Sequence, residues 1–108
     1  MDVVTRVEMN MFVDEDGSWT AAWAWTNWAG DSFPGVYEDI LVEDLNGLII
    51  DRVKAPLHSV DGGQTCLGNS SGPGKVKPGT NVWRLKVFKE DGELLGEDGG
   101  RFEAMISG

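Results

Sequence analysis

The sequence is poor in the residues that build most small reactive centres: it has one cysteine and one histidine in 108 residues. A lone cysteine excludes an internal disulfide. One cysteine with one histidine also falls short of the usual structural zinc sets, so the counts predict no metal and no cofactor. Long apolar runs are missing too. Nothing approaches the ~18–20 apolar residues of a membrane span, and MDVVTRVEMNMFV at the start lacks a basic segment followed by an apolar one. No membrane insertion is expected. The absence of a signal peptide reads as cytoplasmic, or as secreted or surface-attached if a leader has been trimmed. Basic residues are scarce: nine Lys and Arg stand against 18 Asp and Glu, a net charge of −9. That excludes a nucleic-acid partner, which needs a cationic face, and an anionic membrane surface.

What remains is ordinary globular composition, 41% hydrophobic and 25% charged, at the length of one domain spanning 1–108. Fifteen glycines predict many turns, and five tryptophans are unusual for so short a chain. The charge lies in blocks. Residues 1–51 carry 11 acids and one base, residues 52–89 seven bases and one acid, and residues 90–108 six acids and one base. Such blocks either pair within the fold, strand against strand, or create faces of opposite sign that favour self-association.

The dominant pattern is alternation with period two. In 3–13, Val3, Thr5, Val7, Met9, Met11 and Val13 share one face and Val4, Arg6, Glu8, Asn10 and Phe12 the other. Asp14-Glu15-Asp16-Gly17 then supplies a turn. Residues 18–28 return with Trp19, Ala21, Trp23 and Trp25 on one face and Thr20, Ala22, Ala24, Thr26 and Trp28 on the other. Residues 29–35 read as a loop. Strands at 36–43 and 48–54 flank the hairpin signal Asp44-Leu45-Asn46-Gly47. Pro56 ends the second of these or confines it to an edge. The Gly-rich 61–79 stretch reads as a long loop with a short strand at Gln64–Leu67. A strand at 81–89, a turn at 90–93, a short strand at Leu94-Leu95, a loop at 96–100 and a last strand at Arg101–Ser107 complete the chain. About seven or eight short strands with turns every 8–12 residues predict an all-β, immunoglobulin-like antiparallel sandwich.

From Trp25 to about Glu97 the layout resembles the CARDB-type immunoglobulin-like β-sandwich. The pieces are Thr26-Asn27-Trp28-Ala29-Gly30 after a strand, Val42–Ile49 as strand–turn–strand, Val60-Asp61-Gly62-Gly63-Gln64-Thr65, and Pro78-Gly79-Thr80 before Trp83-Arg84-Leu85-Lys86-Val87. Asp61-Gly62-Gly63 departs from that layout by lacking a proline, and the 68–80 loop is longer. The resemblance implies a non-catalytic adhesion or assembly module, often part of a larger surface protein.

The chemistry-bearing candidates are few. Asn69–Val76 looks like a phosphate loop, but Asn69 replaces the first glycine, Val76 follows the lysine, and Pro73 removes an amide; it reads as a mobile surface loop. Asp14–Gly17 and Glu97-Asp98-Gly99 gather oxygens without calcium-loop spacing. Asn69-Ser70-Ser71 matches a glycosylation acceptor, which without a secretory signal is accidental. A nucleophile would need the fold to bring His58 to Cys66. No catalytic residue is assigned. For a protein partner or a second copy, Lys75, Lys77, Arg84, Lys86 and Lys89 are the expected bases and Asp39, Glu43 and Asp44 the expected acids. For a carbohydrate ligand, Trp28 and Phe33 are the expected aromatics, with Trp25 a third should its face be open. Trp83, Trp23 and Trp25 otherwise read as core.

Overall fold

The computed structural model of the protein describes residues 3–106, without the side chains of Thr5 and Arg6. Ser107, the expected end of the last strand, lies outside the described residues, as do the faces expected for Thr5 and Arg6. Eight strands follow one another with no helix among the described residues: β1 (Val4–Val13), β2 (Trp19–Asn27), β3 (Phe33–Asp44), β4 (Ile49–Lys54), β5 (His58–Val60), β6 (Thr65–Ser70), β7 (Gly79–Lys89) and β8 (Leu94–Ala104). No helix is therefore long and apolar enough to cross a membrane.

The strands form two antiparallel sheets, β1-β2-β6 and β4-β3-β7-β8, with β5 continuing the β4 edge along the first part of β3. The core lies between them. Trp19, Ala21, Trp23 and Trp25 project from β2, and Val36, Ile40, Val42, Leu85 and Val87 meet them from β3 and β7. The tryptophan face of β2 is thus the inward face, as its alternation requires.

Turn chemistry sets the hairpins. Gly17 and Gly47 take φ of 90° and 84°, values that a side chain disfavours, and each donates its amide to the aspartate three residues earlier. Asp44 adds a side-chain cap, accepting from Asn46 N and Leu48 N at 2.8 and 2.9 Å.

Four expectations are corrected. The face assignment of β1 slips because a bulge between Thr5 and Glu8 inserts an extra residue, so Val4 is buried although Met9 and Met11 lie on the same side. The short strand expected at Gln64–Leu67 runs from Thr65 to Ser70, and three residues after Pro56 form β5. The loop expected at 96–100 is strand: β8 pairs with β7 from Leu94 to Ala104. A Cβ on Gly100 would stand 2.8 Å from Trp83 Nε1, so the glycine there makes room for the half-buried indole of Trp83.

The fourth concerns 71–78, which is strapped down. Val76 donates to Gly17 O at 3.0 Å, and Lys75 Nζ reaches Ser18 Oγ and Asp16. Gly74 N donates to Asp51 Oδ2 at 2.8 Å. The glycine-rich segment that looked like an anion cradle thus folds around the chain's own carboxylate. Gly72 and Gly74 leave space for it, since a Cβ at either would come within 2.8 or 2.7 Å of Asp51.

The sandwich is asymmetric at its sides. β1 and β8 approach each other, and Val3 N donates to Leu95 O at 2.9 Å, stitching one side. On the opposite side β6 faces β4 and β5 without a backbone ladder, so a gap remains there.

Candidate functional site

The gap is a cleft of about 440 Å³, walled by the β4–β5 connection (Ala55, Pro56, Leu57) and by β6 (Thr65 to Asn69), with Trp23, Glu38 and His58 at its base. Glu38 gets there by parity. It sits on β3 between Val36 and Ile40, on the inward face, and is completely buried. A bare carboxylate in such a place is strongly disfavoured, so it must be hydrogen-bonded. Trp25 Nε1, reaching across from the other sheet, donates to Glu38 Oε2 at 2.7 Å. His58 Nε2 lies 2.6 Å from the same oxygen. Glu38 Oε1 has no hydrogen-bond partner among the described residues.

The other ring nitrogen of His58, Nδ1, lies 2.9 Å from Ser59 O. A carbonyl only accepts, so Nδ1 carries a proton and Nε2 faces the carboxylate. Burial disfavours the charged ring, but the Ser59 carbonyl and Glu38 outweigh it and hold the His58 pKa above its ordinary value. Cys66, paired with Trp25 across β2–β6, completes the cluster. The ligand atoms of Glu38, His58 and Cys66 all lie within 4.8 Å of one another. The fold thus gathers a thiol, an imidazole and a carboxylate that are 20 and 8 positions apart in sequence. Burial, then the negative charge of Glu38, pushes the Cys66 thiol up to about 11. At neutral pH it is protonated, which is the wrong state for a nucleophile.

A second hollow, of about 320 Å³, adjoins the first across Leu67, Gly68 and Asn69 and opens onto the outer face of the three-stranded sheet. Its floor is Ala22 and Ala24 on the middle strand. The pairing sets Asn10, Ala22 and Asn69 in one row and Glu8, Ala24 and Leu67 in the next. Short alanines between the longer side chains of Glu8, Asn10, Leu67 and Asn69 make a trough about two strand spacings wide, roughly 9–10 Å. Further along the same face Thr26 Oγ1 and Thr65 Oγ1 share a hydrogen bond at 2.9 Å.

Beyond Thr26 comes Trp28, 71% exposed. Phe33 is half-buried at the start of β3 and borders a different hollow, with Pro34, Gly35 and Lys89 to Asp91; Trp28 is not part of it. The two aromatics expected to act together are thus not brought to one hollow. Trp25 is 0% exposed, because its face packs into the sandwich and its indole N–H is held by Glu38; a role as a surface aromatic is corrected. Trp19 and Trp23 are buried likewise, donating to Asp51 Oδ2 at 2.6 Å and Ser70 Oγ at 3.1 Å.

The charged candidates pair at home. Arg52 bonds Asp39 at 2.7 Å and Arg84 bonds Glu43 at 2.9 Å. Lys75 meets Asp16, Lys77 meets Asp44, Lys86 meets Glu97 and Lys89 meets Glu93 at 3.0–3.8 Å. In the pairs Arg52–Asp39, Arg84–Glu43 and Lys86–Glu97 the opposite charges sit on strands laid side by side. None of these residues lines the cleft or the trough.

Glu38, Asn10 and Asn69 were missed as site residues. The signal for Glu38 was available: in Val36-Tyr37-Glu38-Asp39-Ile40 an acid shares the face of the apolar residues. For Asn10 and Asn69 no local signal exists, since only the pairing of β1, β2 and β6 aligns them.

No family model matches the chain, and no curated protein matches it in sequence. Solved structures do match in shape. The C-terminal domain of Wzt superposes with a TM-score of 0.76 at 12% identity, over 99% of this chain and 76% of that one. A β-glucuronidase of Bacteroides uniformis matches at 0.69 and 10% identity, over 91% of this chain but 13% of that one. A putative β-galactosidase from Bacteroides fragilis matches at 0.64 and 13%, over 91% and 16%. The chain therefore corresponds to one small part of each glycosidase. At such identities the likeness establishes the β-sandwich fold.

Proposed function

We propose that the protein is a non-catalytic carbohydrate-binding module that holds a neutral sugar chain in the trough over Ala22 and Ala24. The observation that carries this reading is the row Asn10–Ala22–Asn69: two amides face each other across a floor without bulky side chains. A pyranose ring fits a trough that wide, and amides both donate to and accept from sugar hydroxyls. Trp28 stands at one end of the same face as a stacking surface. Among the described residues Glu8 is the single charged side chain lining the trough, which disfavours anionic sugars. The appearance of the same fold within two glycosidases agrees with a sugar-handling setting. Charge-driven association between copies has less support, because the basic residues expected to drive it already have acidic partners within the chain.

The test is tryptophan fluorescence and calorimetry against a panel of neutral and anionic polysaccharides. Binding to a neutral glycan that falls at least tenfold in both Asn10→Ala and Asn69→Ala, and more modestly in Trp28→Ala, supports the proposal. Binding unchanged in all three variants, or none across the panel, ends it.

A further inference from the structure

We propose that Glu38, His58 and Cys66 form a zinc-type metal site at the base of the cleft, with a fourth position open to the cleft. The inference is independent of the saccharide reading, since none of these three side chains lines the trough.

Three observations carry it. The first is the donor set. A thiolate, an imidazole and a carboxylate are the three side chains that zinc takes in proteins, and three protein ligands with one open position is the pattern of sites that admit a further ligand. Their donor atoms lie within 4.8 Å of one another. Around a tetrahedral ion they would stand about 3.5 Å apart, given metal–ligand lengths of about 2.0–2.3 Å. The 2.6 Å contact between His58 Nε2 and Glu38 Oε2 would open and the wider separations close, each by on the order of an ångström, within reach of side-chain rotation.

The second is the unpaired Glu38 Oε1, buried in a side chain that is 0% exposed and lines the cleft. A buried carboxylate oxygen without a donor is costly, and a cation would satisfy it.

The third is the outer partners. A metal-bound histidine usually donates its other ring N–H to a carbonyl, and a ligating carboxylate is itself hydrogen-bonded. His58 Nδ1 meets Ser59 O, which aims Nε2 at the cluster. Trp25 Nε1 holds Glu38 Oε2, which leaves Oε1 as the free donor. These contacts orient the ligands before any ion arrives. Binding releases the thiol proton of Cys66 and the proton between His58 and Glu38 to solvent, so the charge of the ion replaces that of the protons. The fourth position would open to the cleft, whose lining also includes Ala55, Leu57 and Gln64.

The full chain, stripped with a chelator, is titrated with cobalt(II) and then with zinc against a chromophoric competitor. The expected result is saturation at one equivalent, with a near-ultraviolet thiolate-to-cobalt charge-transfer band that Cys66→Ser abolishes. His58→Gln is expected to weaken zinc binding at least ~10-fold. Should Glu38→Gln or Cys66→Ser lose the native circular dichroism spectrum, His58→Gln still decides, because its side chain is one-third exposed and its loss leaves the Trp25–Glu38 bond in place. A missing charge-transfer band at stoichiometric cobalt overturns the site, and so does zinc affinity unchanged by His58→Gln. Trp28→Ala, which removes the proposed sugar platform, is expected to leave metal binding unaltered, so the two proposals fail separately.

Discussion

Replacing each inward tryptophan of β2 by phenylalanine separates the worth of its N–H from that of its ring. Trp19, Trp23 and Trp25 are buried to a similar degree, at 2%, 6% and 0% exposure, so the volume lost is nearly the same in each case. Their hydrogen bonds differ. Trp19 and Trp25 donate to the carboxylates of Asp51 and Glu38, and Trp23 to the hydroxyl of Ser70. A hydrogen bond to a charged group contributes about 1.5–3 kcal/mol and a neutral one about 0.5–1.5. Trp25→Phe also leaves the buried Glu38 with His58 alone, and Trp19→Phe leaves Asp51 with the Gly74 amide. Both are expected to cost about 1–2 kcal/mol more than Trp23→Phe. For a domain near 100 residues that is an additional fall in Tm of roughly 4–16 °C. Urea denaturation followed by circular dichroism, with equal m-values across the set, gives the comparison. A Trp23→Phe loss as large as the other two would refute the claim that the carboxylates, and not the rings, set these differences.

Three further outcomes follow from the same contacts. The raised pKa of His58 means that, above the ordinary value of 6.5, the folded chain keeps a proton that the unfolded chain has lost; this contribution to stability is complete below that value and disappears as pH rises through the folded one. Urea midpoints measured across this range should fall with pH in the native chain and less steeply in His58→Gln; equal slopes would count against the ion pair. Gly68→Ala places a Cβ 2.2 Å from Trp23 Cζ2, so it should destabilise by about 1–3 kcal/mol and shift the tryptophan emission, whereas a neutral result would mean the indole is free to move. Cys66, with its thiol near 11, should be alkylated far more slowly in the folded than in the unfolded chain at pH 8, with a rate still climbing towards pH 11; rapid labelling at pH 8 would contradict its burial beside Glu38.

Much of the fold was legible because its signals are local. The Asp-Glu-Asp-Gly and Asp-Leu-Asn-Gly turns fix two hairpins, and strict alternation fixes the inward face of β2. Where the sequence misled, a non-local partner decided. The glycines of 96–100 read as loop, yet they pair along β7 and accommodate Trp83. The glycines of 72–74 read as mobile, yet Asp51 holds them. The bulge after Thr5 shifts a whole face by one residue, which no composition announces. The candidate site was the least legible part. Glu38, His58 and Cys66 become neighbours only when β3, β5 and β6 are in place, and the Asn10–Asn69 row needs three strands in register.

The stitched side and the gap opposite it make the sandwich resemble a book, with its spine at Val3 and Leu95 and its fore-edge between β6 and the β4–β5 turn. Near Asp51 the fore-edge is clasped by Gly74, and near Glu38 by Trp25 reaching across from the other sheet. Both clasps close on carboxylates. Loss of these bonds would loosen the pages from the same side while the spine holds, so opening of this molecule has a direction built into it.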